Sequence, residues 1–405
     1  MDAQPMLGTS TTASPPPPFS LDHGRSLHAW LARMRRDRPV HRDPWTGVWT
    51  LYRYADVAAA AADASAFSSE TWRLSPGGLG TQALTVGNLT AMDPPRHRLL
   101  RNLVSPWFTA RAVARLAPRI EQIAEELLDR VADQDGMDLV QGLSRPLPVM
   151  VISDLLGLPR SDCDQLGDWA DRLMSFDGTD ARDLAAQQRS ADIQRTVLDY
   201  LRGQFRRRQA APGDDLISQL TRADIEGQRL GEDEAVNFVN LLLLAGHVTT
   251  TQMLANLVLS LDEHDLLGAV RDGPALIPGA IEETLRYRPV ISSNMRITTR
   301  PVTVAGQSVP ARQFVSLSFL SANRDEQQFP EPDRFDVRRH PNRHLGFGHG
   351  IHYCLGAPLA HLEIAIALRA LLCRFPTCKV AGGQILYYEM PGVVGPRSLP
   401  VVFQR

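Results

Sequence analysis

The strongest helical signal in the sequence runs from Glu232 to His264, about thirty residues. A helix that long is the longest axis the sequence predicts. Glu232, Asp233 and Glu234 stand at its start, where the positive end of the helix dipole favours carboxylates. Its middle, "LLLLAGHVTTTQML", is less regular. Gly246 costs about 1 kcal/mol against alanine, and the β-branched run Thr249, Thr250, Thr251 is disfavoured as well. Two readings fit. The small residues mark a close packing contact, or the Thr249 hydroxyl bonds back to the Ala245 carbonyl and opens the helix locally.

Around this axis the signals alternate. "PVHRDPWTGVWTLYRY" predicts a hairpin over the turn residues Asp43, Pro44 and Gly47. "ADVAAAAADASAF" predicts a helix. The Gly- and Pro-rich stretch 72–95 is about as long as loops get unless they serve function. Helical segments resume from His97 to Asp133 and continue in pieces to Gln209. "GAIEETLRYR" predicts a helix stopped by Pro289, "RITTRPVTVAGQSVPARQFVSLSFL" predicts strands, and "PLAHLEIAIALRALLCRF" a long buried helix. No repeat, linker or charge block divides the chain. The expectation is one mainly α body with a smaller β-rich region over 19–405, after a disordered Ser/Thr/Pro-rich tail over 1–18.

Composition narrows the partners. A net charge of −2 points to neither nucleic acid nor an anionic membrane. Four cysteines without a CxxC pair suit a reducing cytoplasm rather than a disulfide framework. The amino terminus lacks a signal-peptide pattern. The longest apolar run, around Leu241–Gly246, is far short of the ~20 residues of a membrane span.

"FGHGIHYCLG", Phe347–Gly356, crowds three glycines, two histidines and a cysteine into one run. Three readings compete for Cys354: a buried structural cysteine, a zinc ligand with His349, His352 and either His344 or His361, and a thiolate on haem iron. Zinc sites usually draw paired ligands from two separated knuckles, whereas these candidates crowd around one short run. The haem reading accounts for more residues. A helix starting just after Cys354 aims free N–H groups at the sulfur, and Pro358 costs little in its first turn. Gly348 and Gly350 allow close approach to a flat ring, Phe347 shields the sulfur, and His352 reaches a propionate.

With Phe347, Gly348, Gly350, His352, Cys354 and Gly356 in place, the stretch resembles the haem-binding signature of the cytochrome P450 family. The resemblance implies a single fold of that type, with haem b between the central helix and the cysteine-loop helix and Cys354 as the axial ligand of the iron. In that family the thiolate favours O–O cleavage. His97, Arg101 and Arg296 are implied as further propionate partners. "EETLR" looks like the family's Glu-x-x-Arg motif, in which Glu283 and Arg286 close a buried ion network with Arg334 of "FPEPDRF". "AGHVTT" looks like its oxygen-binding motif, with Ala245 and Gly246 beside the haem and Thr249 and Thr250 as catalytic hydroxyls. The departure is Val248, where the family usually carries an acid that delivers protons with the threonine. Water, His247 or a substrate group then has to stand in.

The expected function is that of a cytoplasmic, monomeric haem monooxygenase. It uses dioxygen to hydroxylate or epoxidise a lipophilic small molecule, by analogy a polyketide, macrolide or terpenoid of secondary metabolism. Analogy also assigns substrate contacts to Leu84, Val86, Leu89, Phe176, Asn240, Leu244, Val248, Val290, Ile291 and Val393. The chain has no nucleotide fingerprint and no four-cysteine cluster set, so electrons from NAD(P)H arrive through separate proteins, a ferredoxin and its reductase or a flavodoxin. Arg96, Arg98, Arg338, Arg339 and Arg343 form a candidate basic patch for such a partner. Two rivals remain. One is a peroxygenase driven by hydrogen peroxide, against which Thr249-Thr250 argues, because such relatives carry an Arg-Pro pair there. The other is a haem-binding accessory protein with little turnover, which Val248 favours.

Overall fold

The computed structural model describes residues 15–74, 85–174, 184–382, 385–388 and 392–403. Its longest element is the axis expected. Glu232–Glu263 is one unbroken helix of 32 residues, about 48 Å long at ~1.5 Å per residue. From Thr251 to Leu261 every residue is buried, Gln252, Asn256 and Ser260 included, so this stretch is enclosed on all sides. The helices Pro146–Leu156, Leu184–Ala210, Ile277–Tyr287 and Ala357–Arg374 enclose it. By length and mean hydropathy alone this helix could cross a membrane. However, 72% of its most apolar window is buried inside the fold, so that surface is spent on neighbouring helices.

The helix does not break at Gly246. The glycine provides room: a Cβ there would lie 3.2 Å from Cγ1 of Ile152, on the crossing helix Pro146–Leu156. The packing reading therefore holds for Gly246. The Thr249 hydroxyl still donates to the Ala245 carbonyl at 2.6 Å, within a continuous helix.

The β-rich part is a five-stranded sheet in the order Val40–Arg42, Trp49–Leu51, Phe314–Ser318, Ser293–Thr298, Phe67–Ser68. The predicted hairpin pairs Val40 with Leu51 and Arg42 with Trp49. Its turn is held by the Asp43 carboxylate, which accepts the N–H groups of Trp45 and Thr46. Trp49–Leu51 then runs parallel to Phe314–Ser318, with Thr50 opposite Ser316. Alternation puts Leu51, Val315 and Leu317 inward, each fully buried in a small second core with Val57 and Val309. The main core gathers around the central helix.

Candidate functional site

The cysteine loop is built from tight turns. Gly348 and Gly350 have φ of +74° and +67°, a region that side chains with a Cβ rarely adopt. A Cβ on Gly350 would also lie 2.7 Å from the Ala61 carbonyl, at the end of the helix Tyr54–Ala62. The absent Cβ of Gly350 is what lets the loop approach that helix. The Cys354 N–H donates to the Phe347 carbonyl at 2.8 Å. Its sulfur accepts the backbone N–H groups of Gly356 and Ala357, where the helix Ala357–Arg374 begins with Pro358 in its first turn. Burial pushes the Cys354 thiol up, opposed by those N–H groups and by the charge of Arg101. The chain alone thus favours the thiol, and a bound metal ion would displace its proton.

Four basic side chains meet beside this loop. His97 is buried, and its Nε2 has no partner. Its ring centroid lies 4.6 Å from that of His352, whose Nε2 bonds the Ser69 hydroxyl at 2.8 Å. Arg101 donates to the carbonyls of Ile351 and Tyr353, at 3.0 and 2.7 Å, tying its helix to the loop. Arg296, 5% exposed, donates to the Met295 carbonyl. Burial and then the charges of Arg296, His97 and Arg101 hold His352 down at about 3. Among the described residues none of the four is bonded to a carboxylate. Buried donors without an acceptor cost about 1–3 kcal/mol each, and the two carboxylates of a haem supply what is missing. The residues present fit that group.

The central helix has a bare patch. Ala245 is exposed in the middle of a mostly buried helix, and the Thr249 hydroxyl is exposed beside it. The two are four residues apart and share one face. Val248 and Thr250 are buried, at 4% and 5% exposure. His247 is fully buried, and its ring lies close to Arg145 and Gly167. It stands about 200° round the helix from Thr249, so it is no substitute for the acid missing at Val248. Burial, and then the charge of Arg145, lower its pKa to about 3.

The ion network differs from the expected one in one member. Glu283 and Arg286 are fully buried and paired at 2.7 Å. The third side chain is Arg339, whose Nε reaches Glu283 at 3.1 Å. Arg334 instead lies exposed and pairs with Glu331; only its carbonyl takes part, accepting from Arg286 and Arg339. Glu283 also accepts from the Asp336 N–H and the Asn342 amide. The basic patch shrinks accordingly. Arg339 points inward, Arg96 is paired with Glu234, and Arg98, Arg338 and Arg343 remain exposed.

Of the predicted substrate contacts, Leu84 and Phe176 lie outside the described residues. Ile291 and Val393 form a β-bridge, and the Val394 N–H donates to the Val290 carbonyl at 2.7 Å, so these two distant segments do meet. Asn240 is 9% exposed and its Oδ1 has no partner. Leu89 is buried, Leu244 half-buried and Val86 exposed. The reading from sequence missed Arg339 and Ser69. The segment "DRFDVRRHP" offers three arginines to one buried carboxylate and does not say which of them reaches it. Ser69 carries no local signal.

Comparison with known proteins agrees with this geometry. The family model for Cytochrome P450 matches residues 275–395. The chain is 62% identical to a cyclomarin C epoxidase of Salinispora arenicola, over 96% of this chain and 99% of that protein. It is 42% identical to an erythromycin C-12 hydroxylase of Saccharopolyspora erythraea, over 93% and 94%. Among solved structures, a mutant of P450 EryK in complex with erythromycin B superposes with a TM-score of 0.89 at 41% identity, covering 96% of this chain and 98% of that one.

Proposed function

This chain belongs to the cytochrome P450 family and is a haem-dependent monooxygenase, and from that premise we propose that it epoxidises a large lipophilic secondary metabolite of the cyclomarin kind. The observation that carries the reading is the 62% identity to the cyclomarin C epoxidase over nearly the whole of both chains. In the overall reaction one oxygen atom of dioxygen enters the alkene and the other leaves as water, with two electrons and one proton from NAD(P)H and the second proton from solvent. The test is product analysis with cyclomarin C, a ferredoxin, its reductase and NAD(P)H. A product one oxygen heavier, with the alkene lost, is expected. Turnover of an erythromycin-type macrolide with cyclomarin C untouched overturns the reading. Turnover with peroxide alone, and none with the ferredoxin system, favours the peroxygenase instead.

The haem supplies the oxygen chemistry when bound. Every other part falls to side chains of this chain. Cys354 ligates the iron, and the N–H groups of Gly356 and Ala357 offset charge on its sulfur. Phe347, packed over the loop, excludes water from it. His97, Arg101, Arg296 and His352 hold the propionates. Ala245 leaves one face of the central helix bare, and Thr249 holds a proton at Oγ1 on that face. Val248 relays nothing, so ordered water brings the proton to Thr249. Thr249→Ala is expected to lower product formed per NAD(P)H by about tenfold or more, with the difference appearing as peroxide. Unchanged coupling overturns this role.

Electrons come from a separate ferredoxin system in a cytoplasmic setting. Arg98, Arg338 and Arg343 are the exposed docking candidates left in the patch, and Arg338 and Arg343 are the pair tested. Reversing both charges is expected to slow ferredoxin-driven reduction severalfold at low salt and less at high salt. Equal rates at low salt remove the patch from the reading.

A further inference from the structure

Beside the cysteine loop lies a cluster the reaction above leaves unused. Glu282, next to Glu283 on the helix Ile277–Tyr287, sits between two imidazoles. His361 Nε2 lies 2.5 Å from its Oε1 and His344 Nε2 3.1 Å from its Oε2. The remaining ring nitrogens fix the protons. His344 Nδ1 accepts the Gly346 N–H at 3.1 Å, so its proton is on Nε2 and the ring is neutral. His361 Nδ1 faces the Ala357 carbonyl at 2.7 Å. An acceptor at each nitrogen requires a proton at each, which makes His361 a cation.

This cation touches both supports of the sulfur. Its ring centroid is 5.1 Å from that of Phe347, whose carbonyl accepts the Cys354 N–H. Its Nδ1 is bonded to Ala357, whose own N–H points at Sγ. His344 flanks Phe347 on another side, 6.4 Å between centroids. Three separate segments thus converge on the loop through one carboxylate.

We propose that His361, clamped by Glu282, is a positioning residue for Cys354: it braces Phe347 and the first turn of the following helix, and its fixed positive charge favours the reduced haem. This rests on the reading of Cys354 as the iron ligand. Glu282 faces His361 directly, and the same carboxylate is shared with His344, on the loop before Phe347, and felt by the Tyr353 hydroxyl, which also feels Cys354. Burial would raise Glu282, but hydrogen bonds from His344 and His361 outweigh it and hold the carboxyl below its ordinary range. Burial would lower His361, but Glu282 outweighs it and raises the ring above its ordinary 6.5. The sign follows: the charge is complete below about pH 6.5 and is lost as pH rises through the higher folded value.

The test compares the haem-loaded wild type with His361→Gln, His361→Arg and Glu282→Gln by reductive titration. His361→Gln is expected to shift the ferric–ferrous equilibrium about 3–10-fold toward ferric, where tenfold is ~59 mV for one electron. His361→Arg is expected to stay within about twofold of wild type. In wild type and not in either His361 variant, the potential steps down as pH rises from 6.5 to 9. Glu282→Gln moves that step to lower pH. Equal shifts in the Gln and Arg variants, or a step that persists in His361→Gln, overturn the proposal. A second readout needs no haem: ring ¹⁵N resonances of His361 are expected to show both nitrogens protonated at pH 6, and a neutral ring there overturns it. Failure of the haem reading is separate, because the reduced carbonyl complex of the wild type would then lack its red-shifted Soret band.

Discussion

Glu283→Ala is expected to cost about 3–5 kcal/mol, the usual result of leaving a buried charge without its partner. Glu283 and Arg286 both have side chains with no exposure. The carboxylate accepts two bonds from Arg286 and one each from Arg339, the Asp336 N–H and the Asn342 amide. Alanine would orphan all five donors at once. Arg286 would keep the carbonyls of Asn323, Pro332 and Arg334 but not an anion. Domains of this kind hold only about 5–15 kcal/mol in total, so a large share of the chain's margin is at stake. Urea denaturation checks it, with a large fall in midpoint at little-changed slope expected. Arg334→Ala is the control and is expected to cost less than about 0.5 kcal/mol, because that side chain is exposed and only its backbone is used. Similar losses in the two variants would return Arg334 to the network.

Cys354→Ser has the opposite profile. It is expected to leave the urea midpoint within about 0.5 kcal/mol and to remove the red-shifted Soret band of the reduced carbonyl complex. Loss of outer partners at metal sites already costs 10–100-fold, so oxygenation is expected to fall below about 1% of wild type. The backbone frame of the loop survives the change, because the bond from residue 354 to Phe347 uses the main chain. Oxygenation retained by this variant, in the absence of any thiolate signature, would remove Cys354 from the iron.

What the sequence disclosed follows the range of the interactions. The cysteine loop is a local pattern, and so is the Glu283–Arg286 pair one turn apart; both were readable. Arg339 was not, because Arg334, Arg338 and Arg339 differ only in how the backbone turns after Phe335. That turn is fixed by the Asp336 N–H bond to Glu283, a contact across about fifty residues. Gly246 left both a packing contact and a helix opening as readings, because propensity sees only the penalty. The compensating contact, Ile152, lies on another helix. Gly350 was read against a ring, and its close neighbour Ala61 lies nearly three hundred residues upstream. The substrate contacts were least legible, since they come from separate segments whose meeting, as with Ile291 and Val393, exists only in the fold.

The pairing of Thr50 with Ser316 has a consequence for synthesis. These strands are about 270 residues apart, and a ribosome adding ~5–20 residues per second needs on the order of 15–50 s to make the second after the first. Throughout that interval the edge of Trp49–Leu51 has no parallel partner, and an unpaired apolar strand is a template for other chains. Yield in a foreign host should therefore respond to translation speed, temperature and holdase supply more than to any feature of the finished site.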